Sequence, residues 1–213
     1  MVILEPDDER KNVKMTKEFW NERYADSAYI YGTEPNTYFR LKLDSISKGK
    51  LLLPAEGEGR NALYAASLGW QVDAFDYSEL AKRKAETLAA KAGLSLNYRI
   101  SAAEDMNLEP DSYDVIGLFY FHLPAELRLM VHKACIKALK PGGTILMEAF
   151  TPEQLQYNSG GPKNETWLYT PEMIQSDFAE LNIAELTKIT IQLEEGEGHK
   201  GEASVLRLMA VKP

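Results

Sequence analysis

Residues 51–66 read LLLPAEGEGRNALYAA, and this stretch decides the fold. Leu51, Leu52 and Leu53 form a short continuous apolar run, the pattern of a parallel strand covered by helices on both faces. Pro54 belongs at the end of such a strand, because it cannot donate to a central ladder. Gly57 and Gly59 remove side chains where the chain must turn and where a ligand could lie against the backbone. From Arg60 the pattern is helical, with Ala62, Ala65 and Ala66 as a small-residue face and Gly69 as terminator. Strand, glycine turn and free helix N–H groups together make a nucleotide-type pocket in doubly wound folds.

The rest of the chain repeats the alternation. Residues 70–75 read as a second strand ending in Asp76, Ser78 opens a helix closed by Gly93, and residues 96–100 are a third strand leading into the acidic turn 102–105. Residues 114–121 are a fourth, nearly all apolar strand. Pro124 opens a helix with Leu127, Val131, Ala134 and Ala138 on one face, and Pro141, Gly142 and Gly143 turn it into a fifth strand at 144–149. Five βα units imply a parallel sheet with right-handed crossovers. The ending differs: a polar stretch at 151–165 reads as a functional flap, Thr170 and Pro171 start another helix, and 184–193 and 203–211 form an antiparallel hairpin around EEGEGHKGE.

Upstream of the first strand, Thr16 can cap a helix carrying Phe19, Trp20 and Tyr24, and a second helix carries Phe39, Leu43 and Ile46. These two helices, over 16–48, are expected to form a lid on the core at 50–213, the whole being one domain. Residues 1–15 lack periodicity and read as a flexible tail, with Met15 an alternative start to Met1.

The bulk numbers narrow the function. Formal charge is 24 − 32 = −8 without a basic run, which disfavours a nucleic-acid partner. One cysteine, Cys135, excludes an internal disulfide framework and any cysteine-rich metal site, and fits a reducing cytoplasm. No apolar run approaches the ~20 residues that span a bilayer, so no membrane partner is expected.

Gly57, Gly59 and Ala62 satisfy the G-x-G-x-x-(G/A) spacing of a dinucleotide fold, and Asp76 follows at the distance of a ribose carboxylate. A nicotinamide oxidoreductase and an S-adenosylmethionine enzyme therefore tie on spacing. Glu56 and Glu58 flank the glycines, where a pyrophosphate would meet carboxylates while a sulfonium and an ammonium group would be tolerated.

The chain resembles the class I S-adenosylmethionine-dependent methyltransferases, in which a terminal antiparallel hairpin completes a seven-stranded sheet. AEGEGRNA, FHLP at 121–124, FTPEQLQYNSGGPK at 150–163 and the late GHKG resemble a bacterial group related to tellurite-resistance methyltransferases. The resemblance implies an α/β Rossmann-like, doubly wound, mostly parallel seven-stranded sheet and S-adenosylmethionine as cofactor. The acceptor expected is a small molecule: a thiol, a metalloid oxyanion or a hydroxyl compound. The absence of an (N/D)-P-P-(Y/F) tetrad speaks against methylation of nucleic-acid bases. Monomer and homodimer both stay open, as does a catalytically inactive cofactor-binding protein, because Leu53 and Ala55 replace the usual first acidic residue and first glycine of the turn. Ala at 55 is expected to keep a negative φ.

Candidate cofactor contacts are Ala55, Glu56, Gly57, Gly59, Arg60 and Asn61 in the turn, with Asp76 as ribose ligand or helix cap and Tyr77 beside the adenine or merely packed. The third turn adds Ala103, Glu104 and Asp105, and Phe119 ends the fourth strand. His122 and Tyr31 are the candidate catalytic residues. At His122 a neutral imidazole would orient or deprotonate the acceptor, a structural role being the bland alternative. Tyr157, Asn158 and His199 lie on loops expected at the mouth as substrate contacts.

Overall fold

The computed structural model describes residues 16–213. The expected tail and the choice of start at Met15 lie outside the described residues. In order the elements are α1 (Lys17–Arg23), α2 (Thr37–Leu43), β1 (Lys50–Pro54), α3 (Arg60–Ser67), β2 (Gln71–Asp76), α4 (Glu79–Lys91), β3 (Asn97–Ile100), β4 (Tyr113–Phe119), α5 (Ala125–Ala138), β5 (Leu139–Phe150), α6 (Pro171–Asp177), β6 (Asn182–Glu195) and β7 (His199–Val211). Single 3₁₀ segments cover Pro152–Gln156 and Glu165–Trp167.

The seven strands lie in the order β3-β2-β1-β4-β5-β7-β6. β1 to β5 run parallel, and β7 is antiparallel to both β5 and β6. This is the mostly parallel, doubly wound sheet with a terminal hairpin. The leucine run of β1 lies in the interior of the sheet, between β2 and β4, and its pleat divides the core. Leu51 and Leu53 face a cluster with Phe39, Ala62, Ala65 and Ala85, from α2, α3 and α4. Leu52 faces the opposite cluster with Val131, Cys135, Ile174 and Phe178, from α5 and α6. Two covered faces are why three successive apolar residues suit this strand.

Cap chemistry places the helices. Thr16 Oγ1 accepts from Phe19 N–H at 3.3 Å, Asn36 Oδ1 from Phe39 N–H at 2.9 Å and Ser78 Oγ from Ala81 N–H at 3.2 Å.

Three expectations need correction. No helix separates β3 from β4, so the third βα unit is incomplete and residues 101–112 cross irregularly. β4 ends at Phe119, because Tyr120 takes φ +52° and turns the chain out of the sheet. The hairpin strands run far into EEGEGHKGE, leaving only residues 196–198 as the turn. Backbone pairing from Asn182 opposite Val211 to Glu195 opposite His199 overrides the turn-forming composition.

Candidate active site

A cavity of about 900 Å³ opens at the C-terminal ends of β1, β2 and β4, where the strand order reverses and ligands bind in open α/β sheets. α1 and the loop after it wall one side, and the segment after β5 walls the other.

The glycine turn forms the floor. Ala55 adopts φ +49° rather than the expected negative value, so the left-handed bend is made by a residue with a Cβ, a strain of about 1–2 kcal/mol. Gly57 has φ +64°, and a Cβ on it would lie 2.9 Å from the Tyr24 hydroxyl, above the cavity floor. Gly59 has another duty. A Cβ there would lie 2.5 Å from Ala85 Cβ and 2.9 Å from Ala85 Cα, so this glycine lets α3 and α4 approach and does not line the cavity. Of the two glycines expected to face the cofactor, Gly57 lines the cavity and Gly59 does not.

The acidic neighbours are less available than their sequence suggests. Glu58 is buried, ion-paired with Lys84 at 2.5 Å and accepting from Tyr31 N–H at 3.3 Å. Glu56 accepts from Ala62 N–H in the first turn of α3 at 2.7 Å, and burial raises its carboxyl to about 7. Asp76 sits at the end of β2 in the cavity wall, 5% exposed. It accepts from Gly57 N–H at 3.2 Å and Ser78 N–H at 2.8 Å, and burial raises its carboxyl to about 6. Backbone donors from residues 57, 77 and 78 occupy only part of its four lone-pair sites.

Ala55, Glu56, Gly57, Arg60, Asn61, Asp76, Tyr77, Ala103, Glu104 and Phe119 all line the cavity, as do Tyr31, His122, Asn158 and His199. Asp105, exposed, and Tyr157, half-buried, both lie off the cavity, and the Tyr157 carbonyl accepts from Lys163 Nζ at 3.2 Å. Arg60 and Asn61 line the wall with side chains already engaged. Arg60 pairs with Glu195 at 2.8 Å and donates to the Tyr31 carbonyl at 3.1 Å, while Asn61 Oδ1 accepts from Asn36 N–H at 2.9 Å.

The two cavity histidines differ in what they can do. His122 has both ring nitrogens occupied: Nδ1 lies 2.7 Å from the Trp167 carbonyl, and Nε2 accepts from Phe150 N–H at 3.1 Å. Burial lowers its pKa to about 4, and the neutral ring joins the end of β5 to the 165–167 turn. A base needs a free lone pair, so the expectation of catalysis at His122 is corrected to a clamp.

His199, expected as a substrate contact, has the free one. Its Nδ1 lies 3.2 Å from Glu195 Oε2. Glu195 is itself buried, which would raise its carboxyl, but bonds from His199 and Arg60 hold it down to about 2. An ionised carboxylate only accepts, so Nδ1 carries the proton and Nε2 the lone pair. No described residue hydrogen-bonds Nε2, and a Cβ on Gly160 would lie 3.3 Å from it. Burial lowers the His199 pKa, keeping the ring neutral. The rings of Tyr31, Tyr120 and Phe150 surround it at 4.5, 4.4 and 5.4 Å.

Sequence reasoning missed the polar network beneath this aromatic box. Glu148, 1% exposed, accepts from Asn36 Nδ2 at 2.6 Å, the Tyr120 hydroxyl at 2.7 Å and Arg207 Nε at 2.6 Å. Asn36 also donates to Glu195 at 3.1 Å, linking the two carboxylates. The available signal was a glutamate inside the apolar strand ILMEAF, since a charge in a central strand needs partners.

Residues 54–143 match a family model described as a methyltransferase domain. The chain carries a methyltransferase domain. It is an S-adenosylmethionine-dependent enzyme, and the nicotinamide alternative is set aside. The methyltransferase is 24% identical to a thiopurine S-methyltransferase of Legionella pneumophila over 85% of this chain and 89% of the relative. It is also 32% identical to a ubiquinone biosynthesis O-methyltransferase of Xanthomonas campestris, over 38% of this chain and 35% of the relative. Among solved structures, TehB from Haemophilus influenzae superposes with a TM-score of 0.70 at 18% identity, covering 92% of this chain and 67% of that one. N-methyltransferase NodS from Bradyrhizobium japonicum superposes with a TM-score of 0.65 at 14% identity, covering 92% and 97%. These last two likenesses are of fold. No helix among the described residues of the methyltransferase is long and apolar enough to cross a membrane.

Proposed function

We propose that this methyltransferase acts on a small molecule through a thiol or hydroxyl group that His199 deprotonates. The observation that carries the reading is the Glu195-oriented imidazole whose Nε2 is free at the cavity wall. The relatives named for S- and O-methylation agree with an acceptor that must lose a proton. A metalloid oxyanion, suggested by the resemblance to the tellurite-resistance group, would need no base.

The residues present fit the cofactor. Asp76 has lone pairs suited to the two ribose hydroxyls, and Gly57 leaves the backbone bare beside it. Tyr77, Ala103 and Glu104 would border the adenine, with Phe119 and Tyr120 beside the reacting end. S-adenosylmethionine, when bound, supplies a methyl carbon already activated by its sulfonium. The protein's own work is then alignment of the acceptor in a dry, aromatic-walled pocket and removal of its proton at Nε2. Tyr31 braces the His199 ring in this scheme, and Asn158 contacts the acceptor.

The test is S-adenosylhomocysteine release over thiols, phenols, amines and metalloid oxyanions, for wild type and His199→Gln. The variant should lose about 10²–10⁴ in kcat on thiols or phenols while its affinity for S-adenosylhomocysteine stays within about threefold. Turnover of amines or oxyanions alone would overturn the reading, as would cofactor binding with no turnover at all.

A further inference from the structure

Resting on the cofactor reading above, we propose that Arg23, the last residue of α1, holds the carboxylate at the amino-acid end of the cofactor. The helix is fixed beside the site: Lys17 pairs with Glu79 at 3.0 Å, and Asn21 Oδ1 accepts from the Ser78 hydroxyl at 2.6 Å, two residues from Asp76. Arg23 is half-buried and lines the cavity. Its Nε donates to the Tyr31 hydroxyl at 2.8 Å, and its guanidinium lies 5.6 Å from the centre of that ring, which sets the orientation of the fork.

Charge singles it out. Arg60 is paired with Glu195, Arg128 with Asp177 and Arg207 with Glu148, all at 2.8 Å or less. No carboxylate among the described residues lies within ion-pair reach of Arg23, and its two terminal amino groups have no hydrogen-bond partner there. Of the other cavity cations, Lys17 is paired with Glu79, and Lys163 is on the loop beyond β5, held to the Tyr157 carbonyl. A planar guanidinium fixed through Nε and open at both amino groups suits bidentate capture of a carboxylate.

Position decides which carboxylate. Asp76 bonds Gly57 N–H, so a ribose held by Asp76 would lie beside the turn at 55–57, in the same cavity that Arg23 lines. The side chain above Gly57 is Tyr24, next to Arg23 in the chain and edge-on to Tyr31 at 6.4 Å. Arg60 is taken by Glu195, leaving Arg23 as the available donor.

Calorimetry with two ligands tests this. S-adenosylhomocysteine carries the amino-acid arm, whereas 5′-methylthioadenosine keeps the adenosine and sulfur without it. Arg23→Gln should weaken S-adenosylhomocysteine about 10- to 100-fold while 5′-methylthioadenosine stays within about twofold, and Arg23→Lys should recover part of the loss. Equal loss on both ligands would make Arg23 a support of the lid, and unchanged affinity for both would place the carboxylate elsewhere; either result overturns the assignment. Binding of neither ligand by wild type would instead remove the cofactor reading itself. Retained 5′-methylthioadenosine binding shows that the variant is folded.

Discussion

Gly57 and Gly59 sit two residues apart in one motif, yet the geometry assigns them opposite consequences. Gly59→Ala puts a methyl 2.5 Å from Ala85 Cβ and 2.9 Å from Ala85 Cα at φ +89°. Overpacking costs about 1–3 kcal/mol and the left-handed backbone about 1–2 kcal/mol, together about 2–5 kcal/mol. At about 2–4 °C per kcal/mol for a chain of this size, Tm should fall by about 5–20 °C. Cofactor affinity of the folded fraction should stay within about threefold, since Gly59 lies off the cavity. In Gly57→Ala the new methyl meets a side-chain hydroxyl, which can move, so stability falls by only the left-handed cost of about 1–2 kcal/mol. Its affinity for S-adenosylhomocysteine should instead fall by about tenfold or more, because the methyl displaces Tyr24 over the bound arm. Thermal denaturation followed by circular dichroism, paired with calorimetry, reads both numbers. Adding Ala85→Gly to Gly59→Ala should restore part of the stability, as the nearer of the two clashing atoms is gone. Unchanged Tm with lost cofactor binding in Gly59→Ala would refute the division of labour.

The remaining predictions are shorter. Asp76→Ala should weaken S-adenosylhomocysteine by about 10- to 100-fold by calorimetry, and unchanged affinity would remove the ribose assignment. His122 has a native pKa of about 4 against an unfolded value near 6.5, so the unfolded chain binds more protons between these values. Its contribution is therefore complete above pH 6.5 and is lost as pH falls toward 4, by about 3 kcal/mol in all. The difference in unfolding free energy between wild type and His122→Gln should shrink over that window, and a pH-independent difference would contradict the clamp. The Asp177 side chain, 3% exposed, bonds Arg128 Nε and His132 Nδ1, both at 2.8 Å. Asp177→Ala should cost about 3–5 kcal/mol by leaving Arg128 buried without its partner, measurable as a lower urea midpoint with kcat per folded molecule retained.

Much of the site was legible because its signals are local. Asp76 ends a strand and precedes a Ser cap, and Gly57 follows a leucine run, so spacing alone brought both to one pocket. Charge was less legible: Glu56 and Glu58 read as a field offered to a ligand, whereas one bonds the first turn of α3 and the other meets Lys84 on α4. The availability of His122 was hidden for the same reason. His122 lies beside the right strand in sequence, but only the fold shows that Phe150 and Trp167 consume its nitrogens.

What the chain's own order of residues determined is the alternation of apolar runs and caps, and hence a parallel sheet with a terminal hairpin and a pocket at its reversal. Hydrophobic period and helix capping act over a few residues, so they survive reading in one dimension. Tertiary structure alone decided which glycine meets a helix, which carboxylates keep a free lone pair and which imidazole stays open. Hydrogen-bond satisfaction and close packing depend on partners far apart in the chain: Trp167 is 45 positions from His122, and Glu195 is 135 positions from Arg60.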